Sequence, residues 1–134
     1  MRGLERTSIL VVEDDPDVAQ VLRGRLESKG YETHVEATGK SALSYAAKQG
    51  PDLVLLDVCL PDMSGLQVSK QLRKLYSHRE LPIVMLTAKD QPVDQLYGFA
   101  HGADAYLTKP YSPSELTQAI QLCLGEIVGE WGPF

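Results

Sequence analysis

Pro51-Asp52-Leu53-Val54-Leu55-Leu56-Asp57-Val58-Cys59-Leu60-Pro61-Asp62-Met63-Ser64-Gly65 is the stretch whose reading decides the fold. Leu53 to Leu56 form an unbroken apolar run, whereas a half-exposed strand alternates apolar with polar residues. The run therefore predicts a strand buried on both faces, in the middle of a sheet. It leads directly into Asp57. A carboxylate at the end of a buried strand is costly unless a charge or a hydrogen-bonding group meets it there.

Composition narrows what that partner can be. A chain of 134 residues reads as one domain, long enough to bury roughly two thirds of its unfolded surface without disulfides or structural metals. The hydrophobic fraction is 43% and the charged fraction 23%, close to the globular average, and no apolar run approaches the ~20 residues that span a bilayer. Residues 1–8 lack the apolar core of a signal peptide, and Cys59 and Cys123 form no ligand or disulfide pattern, which leads us to expect a reducing cytoplasm and no membrane partner. A net charge of -5 argues against direct nucleic-acid binding by this domain, because that attraction comes from clustered Lys and Arg.

Outward from the central run, apolar runs alternate with helical patterns. Ser8 to Val12 is a β-branched run that ends in Glu13-Asp14-Asp15, a second buried strand followed by acid. Asp15-Pro16 supplies an N-cap and a first-turn proline. Val18, Val21, Leu22 and Leu26 recur at helical spacing up to a stop at Gly30. Tyr31 to Glu36 alternates weakly and reads as a strand near an edge. Thr38 to Gln49 carries a narrow stripe of Ala42, Leu43, Ala46 and Ala47, closed by Gly50-Pro51. After the central strand, Leu66, Val68, Leu72, Leu75 and Tyr76 give a third helix. Leu81 to Leu86 predicts a strand followed by Thr87-Ala88-Lys89, and Asp90 to Ala100 a fourth helix weakened by Gly98. Ala103 to Leu107 predicts the last strand, followed by Thr108-Lys109-Pro110. Ser112-Pro113-Ser114-Glu115 is a capping box opening a final helix through Ile127.

Five strand-helix units with apolar strands predict an α/β fold, a doubly wound parallel sheet with helices on both faces. Strands pointing one way deliver the residues that follow them to the same edge, where open α/β sheets bind ligands. Glu13, Asp14, Asp57, Thr87 and Lys109 would meet there. Three crowded carboxylates raise the pKa of at least one of them unless a cation is present. Hard oxygen donors without His or Cys select magnesium, or manganese in its place, and magnesium favours phosphate oxygens as further ligands. A lysine and a hydroxyl beside the metal suit a phosphoryl group. This set fits phosphoryl transfer to a carboxylate, with Asp57 as nucleophile.

Glu13-Asp14 after the first strand, Asp57 followed by Leu60-Pro61 and Gly65, Thr87-Ala88, and Tyr106 with Lys109-Pro110 stand in one order and spacing. In these, residues 8–128 resemble the receiver domain of two-component response regulators, the CheY-like family. Residues 1–7 then form an N-terminal extension, and residues 129–134 a tail or the start of a linker. The resemblance implies strand order 2-1-3-4-5 with five helices, and Asp57 as phosphoacceptor. It puts Asp14, Asp57 and the main-chain carbonyl of Cys59 on the metal, with Glu13 holding water on it. It also implies Lys109 on the phosphoryl oxygens and a cis Lys109-Pro110 bond. The phosphoryl donor would be a sensor histidine kinase or a histidine phosphotransfer protein. A domain of this kind is a phosphoacceptor that assists its own phosphorylation and dephosphorylation rather than an enzyme. On phosphorylation the Thr87 hydroxyl would turn to the phosphoryl oxygens and let the Tyr106 ring move inward. That would change the face of the fourth helix, fifth strand and last helix, through which such domains often dimerise or reach an output.

Simpler readings apply to some of these residues. Asp15 before Pro16 reads as an N-cap rather than a metal ligand. His34, His78 and His101 share no motif and read as surface residues, and the cysteines as packing or loop residues. Cys59 and Lys89 flank the phosphoryl path and are expected to tune its lifetime. A haloacid-dehalogenase-like phosphatase would have a second Asp where Cys59 stands, and a flavodoxin-like flavin binder a hydroxyl- and glycine-rich loop after the first strand. A phosphorylation-independent interaction module would lack part of the acidic pocket.

Overall fold

The computed structural model describes residues 6–88 and 102–126. Among them are β1 (Ser8–Val12), α1 (Pro16–Ser28), β2 (Glu32–Glu36), α2 (Gly39–Gln49), β3 (Leu53–Asp57), α3 (Gly65–Leu75), β4 (Ile83–Ala88), β5 (Ala105–Lys109) and α4 (Pro113–Cys123). The helix expected over Asp90 to Ala100 lies outside the described residues, as do Lys89, His101, the Ile127 end of the last helix and the terminal tail. The strands form one parallel sheet in the order β2-β1-β3-β4-β5, so β3 is central and β2 lies at an edge, as the alternation of its residues implies. All residues of β3 are buried.

Strand alternation explains the two cores. Leu10 and Val12 of β1 with Val54 and Leu56 of β3 face Ala42 and Ala46 of α2 and Val68 and Leu72 of α3. Their neighbours Ile9, Val11, Leu53 and Leu55 point the other way, onto Leu22 and Leu26 of α1 and Leu116 and Ile120 of α4. Successive side chains of a strand project to opposite faces, so an uninterrupted apolar run is what two helical layers require.

The helix termini follow the expected chemistry. Asp15 Oδ1 accepts from the Asp17 and Val18 amides, which accounts for Asp15 as a cap. Ser112 and Glu115 close their capping box, and Gly50 ends α2 in the left-handed region. Some expectations change. Val21 and Leu75 are exposed although their spacing puts them on apolar stripes. In α1 the residues that reach the sheet are Ala19, Leu22 and Leu26, and Val21 lies to one side of that face.

The last two strands lie two residues later than their apolar runs suggest. Pro82 has no amide to give to a ladder, and pairing continues through polar residues, Thr87 opposite Thr108 and Ala88 opposite Lys109. Thr87 and Lys109 therefore belong to their strands rather than following them. Of the histidines, His34 and His78 are described, and each has a partner at the surface. His34 stacks on Tyr45 with ring centroids 3.8 Å apart and meets Glu36, and His78 Nδ1 lies 2.6 Å from Asp104.

Candidate functional site

The carboxyl ends of β1 and β3 are adjacent in the sheet while their following helices leave to opposite faces, which opens a crevice between them. Glu13 and Asp14 enter it from β1 and Asp57 from β3. One carboxylate oxygen of each lies within 4.8 Å of the others. Glu13 and Asp57 are buried and Asp14 is exposed, so the cluster has a floor and an open rim. Lys109 reaches across from the end of β5 to place Nζ 3.4 Å from Asp57 Oδ2, and the Lys109-Pro110 bond is cis. Asp57 Oδ1 accepts from the Cys59 amide at 3.2 Å. Thr87 is buried on β4, and Tyr106 on β5 is half-buried against the α2/α3 core.

The electrostatics are those of a site built for a cation. Glu13 Oε2 is held by the Asp15 amide at 3.1 Å, but Glu13 Oε1 and Thr87 Oγ1 are buried without a hydrogen-bond partner among the described residues. Burial raises the Glu13 carboxyl to about 7, opposed by the Asp15 amide and reinforced by the Asp57 carboxylate. Burial alone would lower the Lys109 ammonium, and the Asp57 and Glu13 charges outweigh it, so its pKa is raised. One ammonium does not neutralise three carboxylates, and buried polar atoms are rarely left unpaired. An all-oxygen donor set with an orphaned buried carboxylate oxygen fits a hard divalent cation such as magnesium.

The expected site residues Glu13, Asp14, Asp57 and Lys109 are thus brought together, and the Cys59 backbone is attached to Asp57 by a hydrogen bond. Three contributions were not visible as site features in the sequence. The Glu13 amide donates to the Glu36 carbonyl at 3.1 Å, fixing the acidic pair to the end of β2. Gly65, which the family resemblance marks without giving it a role, is the first residue of α3, and a Cβ on it would stand 2.9 Å from Val58 Cα. Asp62 accepts from two amides of α2. The partners of the Glu13 amide and of Asp62 are distant in sequence, so no local motif marks them.

No helix among the described residues is long and apolar enough to cross a membrane. A family model for the response regulator receiver domain matches residues 9–121. The chain is 44% identical over 118 residues to the sensory transduction protein RegX3 of Mycolicibacterium smegmatis, covering 88% of this chain and 50% of that protein. It spans about half the length of the curated relatives it matches. A solved putative response regulator from Chloroflexus aurantiacus superposes with a TM-score of 0.84 at 36% identity, over 90% of this chain and 99% of that one. The receiver domain of a sensor histidine kinase from Pseudomonas aeruginosa, solved with a magnesium ion coordinated in its active-site cleft, gives a TM-score of 0.81 at 32% identity, over 90% and 98% of the two chains. With strand order, acidic crevice and family match in agreement, the chain belongs to the response regulator receiver domain family.

Proposed function

We propose that this domain is a phosphorylation-dependent switch of two-component signalling that accepts a phosphoryl group on Asp57. The observation that carries this reading is the convergence of Asp57 with Glu13, Asp14 and Lys109 from separate strands. The Cys59 amide holds one Asp57 oxygen and leaves the other facing Lys109, oriented as a nucleophile. In this reading Asp14, Asp57 and the Cys59 carbonyl hold magnesium, or manganese in its place, with Glu13 behind them. When bound, the ion neutralises charge on the phosphoryl oxygens. The metal-containing cleft of the Pseudomonas aeruginosa domain supports that assignment.

Attack by the Asp57 oxygen on the phosphorus of a phosphohistidine forms an acyl phosphate and breaks the P–N bond. The imidazole keeps the electron pair and takes up a proton. Lys109 stabilises the transferring oxygens. The domain is itself the acceptor and is changed by the reaction until the acyl phosphate is hydrolysed, so it is a phosphoacceptor that assists its own phosphorylation and dephosphorylation rather than an enzyme. Thr87 carries a buried hydroxyl without a partner among the described residues, and a phosphoryl oxygen would supply one, worth about 1.5 to 3 kcal/mol for a charged acceptor. That energy would shift a two-state equilibrium by roughly ten- to a hundredfold, with Tyr106 on the neighbouring strand as the group that responds.

The donor is a sensor histidine kinase or histidine phosphotransfer protein in the cytoplasm. An apolar groove of about 380 Å³ between Val18, Val21 and Leu22 of α1 and Pro110-Tyr111 borders Lys109 and supports docking of such a protein beside the site. Dimerisation, or control of an output domain in a longer protein, follows phosphorylation. Magnesium with a small acyl phosphate should add one phosphoryl group to the intact mass of the wild type and none to Asp57→Asn. Equal labelling of the two, or an unchanged wild-type mass, refutes the reading.

A further inference from the structure

The loop from Val58 to Ser64 carries the Cys59 carbonyl, yet Cys59 and Pro61 to Asp62 are exposed, and so short an exposed loop needs external restraints to hold one backbone atom in place. The Gly65 amide donates to the Val58 carbonyl at 2.8 Å, and Cys59 and Ser64 form an isolated antiparallel bridge. These close the loop on itself without relating it to β1. At its start the loop is held by the sheet, through the pairing of β3 with β1 and the Val58 amide on the Leu86 carbonyl; farther along, a second link toward β1 comes from Asp62. Its Oδ1 accepts from the Gly39 amide at 2.8 Å and its Oδ2 from the Lys40 amide at 3.0 Å. Both amides lie in the first turn of α2, whose own cap, Thr38, serves the Ser41 amide. Thr38 and Asp62 thus divide the free donors of one helix terminus between them.

Met63 adds a packing contact to this polar one. A Cβ on Gly39 would overlap Met63 Cγ and stand 2.7 Å from its Sδ, so glycine there lets the loop lie flush on α2. The segment from Glu36 to Lys40 then touches both sides of the crevice. Its first residue receives the Glu13 amide and its last two amides grip Asp62.

We infer that Asp62 is a positioning residue for the metal-binding loop, tying it to the start of α2 and so setting the place of the Cys59 carbonyl relative to Glu13 and Asp14. This rests on the functional reading above. The carboxylate is also held below its ordinary pKa, first by the Gly39 amide and then by that of Lys40, so the tether stays charged at neutral pH. Asp62 itself touches no metal or phosphoryl group. Its effect is on the geometry of a loop that does.

The test uses Asp62→Ala and Asp62→Asn in the full chain. Magnesium binding is measured by calorimetry, amide exchange at Gly39 and Lys40 by NMR, and phosphorylation by a small acyl phosphate at limiting and saturating magnesium. Asp62→Ala is expected to speed exchange of both amides and to weaken magnesium binding by about three- to tenfold, the range for loss of an exposed helix cap. Phosphorylation at saturating magnesium should stay within about twofold of wild type. Asp62→Asn, which keeps an acceptor oxygen, should recover part of the affinity. A merely stabilising residue would not move the half-saturating magnesium concentration while sparing the saturated rate. Should Asp62→Ala fail to fold, Asp62→Asn against wild type carries the comparison, with a smaller loss of magnesium affinity and a smaller gain in exchange at the same two amides. Wild-type magnesium affinity in the folded variants overturns the inference. A wild type that binds no magnesium and gains no phosphoryl group overturns the functional reading instead, and the exchange data still report whether the tether exists.

Discussion

Gly65 and Asp57 stand in backbone contact: a Cβ on Gly65 would overlap the Asp57 carbonyl oxygen and come 2.9 Å from Val58 Cα. The first turn of α3 therefore lies directly on the end of β3, with the Gly65 amide bonded to Val58. Alanine is ordinarily the better helix residue by about 1 kcal/mol. Here the clash is with backbone and has no flexible side chain to absorb it. Gly65→Ala should lower stability by about 2 kcal/mol, read as a lower denaturant midpoint at unchanged slope, and should weaken magnesium binding as the Cys59 loop shifts. A variant as stable as wild type would show that the contact relaxes without cost.

The Glu13 carboxyl gives the domain a pH signature. Burial raises it from 4.5 to about 7, so the native state holds a proton that the unfolded chain releases. Below about 4.5 both states are protonated and no penalty exists. As pH rises from about 4.5 to about 7 the unfolded state binds fewer protons, and stability falls. A divalent cation favours the carboxylate, so magnesium affinity should rise with pH over the same window. The difference in melting temperature between wild type and Glu13→Gln isolates this group from the other acids. The difference should grow in favour of the variant toward pH 7 without magnesium, and a constant difference would exclude Glu13 as the titrating group.

Thr87 should separate stability from response. Its hydroxyl is buried and unpaired among the described residues, and an unsatisfied buried polar group costs about 1 to 3 kcal/mol. Thr87→Val keeps the shape and removes that cost, so it should stabilise the unphosphorylated domain by about 1 kcal/mol. The variant should still gain a phosphoryl group, but chemical-shift changes around Tyr106 on phosphorylation should shrink. Loss of phosphorylation itself would place Thr87 in the transfer step instead.

At the opposite edge of the sheet, Arg73 locks β4 and β5 to α3. Its guanidinium meets Asp104 Oδ2 at 2.6 Å and donates to the Leu81 and Gly102 carbonyls at 2.7 and 2.8 Å, and Asp104 also receives the Ile83 amide. Arg73→Ala removes the guanidinium charge from the half-buried Asp104 carboxylate, leaving it to the Ile83 amide and His78, and takes the donor from the Leu81 and Gly102 carbonyls. Asp104→Asn keeps an acceptor for Ile83. The first should cost about 3 kcal/mol and the second less, both by chemical denaturation and with phosphorylation retained in the folded fraction. Equal, small effects would mean that solvent replaces the arginine.

The capping residues, the buried strand at Leu53 to Leu56 and the acids after the first and third strands were legible in the sequence because each is a local pattern. Side-chain alternation, helical spacing and first-turn hydrogen bonds act over a few residues. The site residues Glu13, Asp14, Asp57 and Lys109 were legible too, since parallel strands deliver their carboxyl ends to one edge. Where local patterns misled, a non-local pairing overrode them. β4 and β5 extend through Thr87 and Lys109 because the ladder between them continues past the apolar runs. Val21 lies outside the core because the face of α1 that meets the sheet runs through Ala19, Leu22 and Leu26, with Val18 packed at its margin.

The sequence by itself thus determined the order of the described strands and helices, the burial of the central strand and the chemistry collected at one edge, since these follow from the period and type of neighbouring residues. Only the tertiary structure decided how closely those parts approach. The Glu13 amide on Glu36 and Asp62 on the first turn of α2 join residues far apart along the chain, and Gly65 meets Asp57 only where α3 folds back against the end of β3. Such contacts depend on distances between elements, which no short-range pattern encodes.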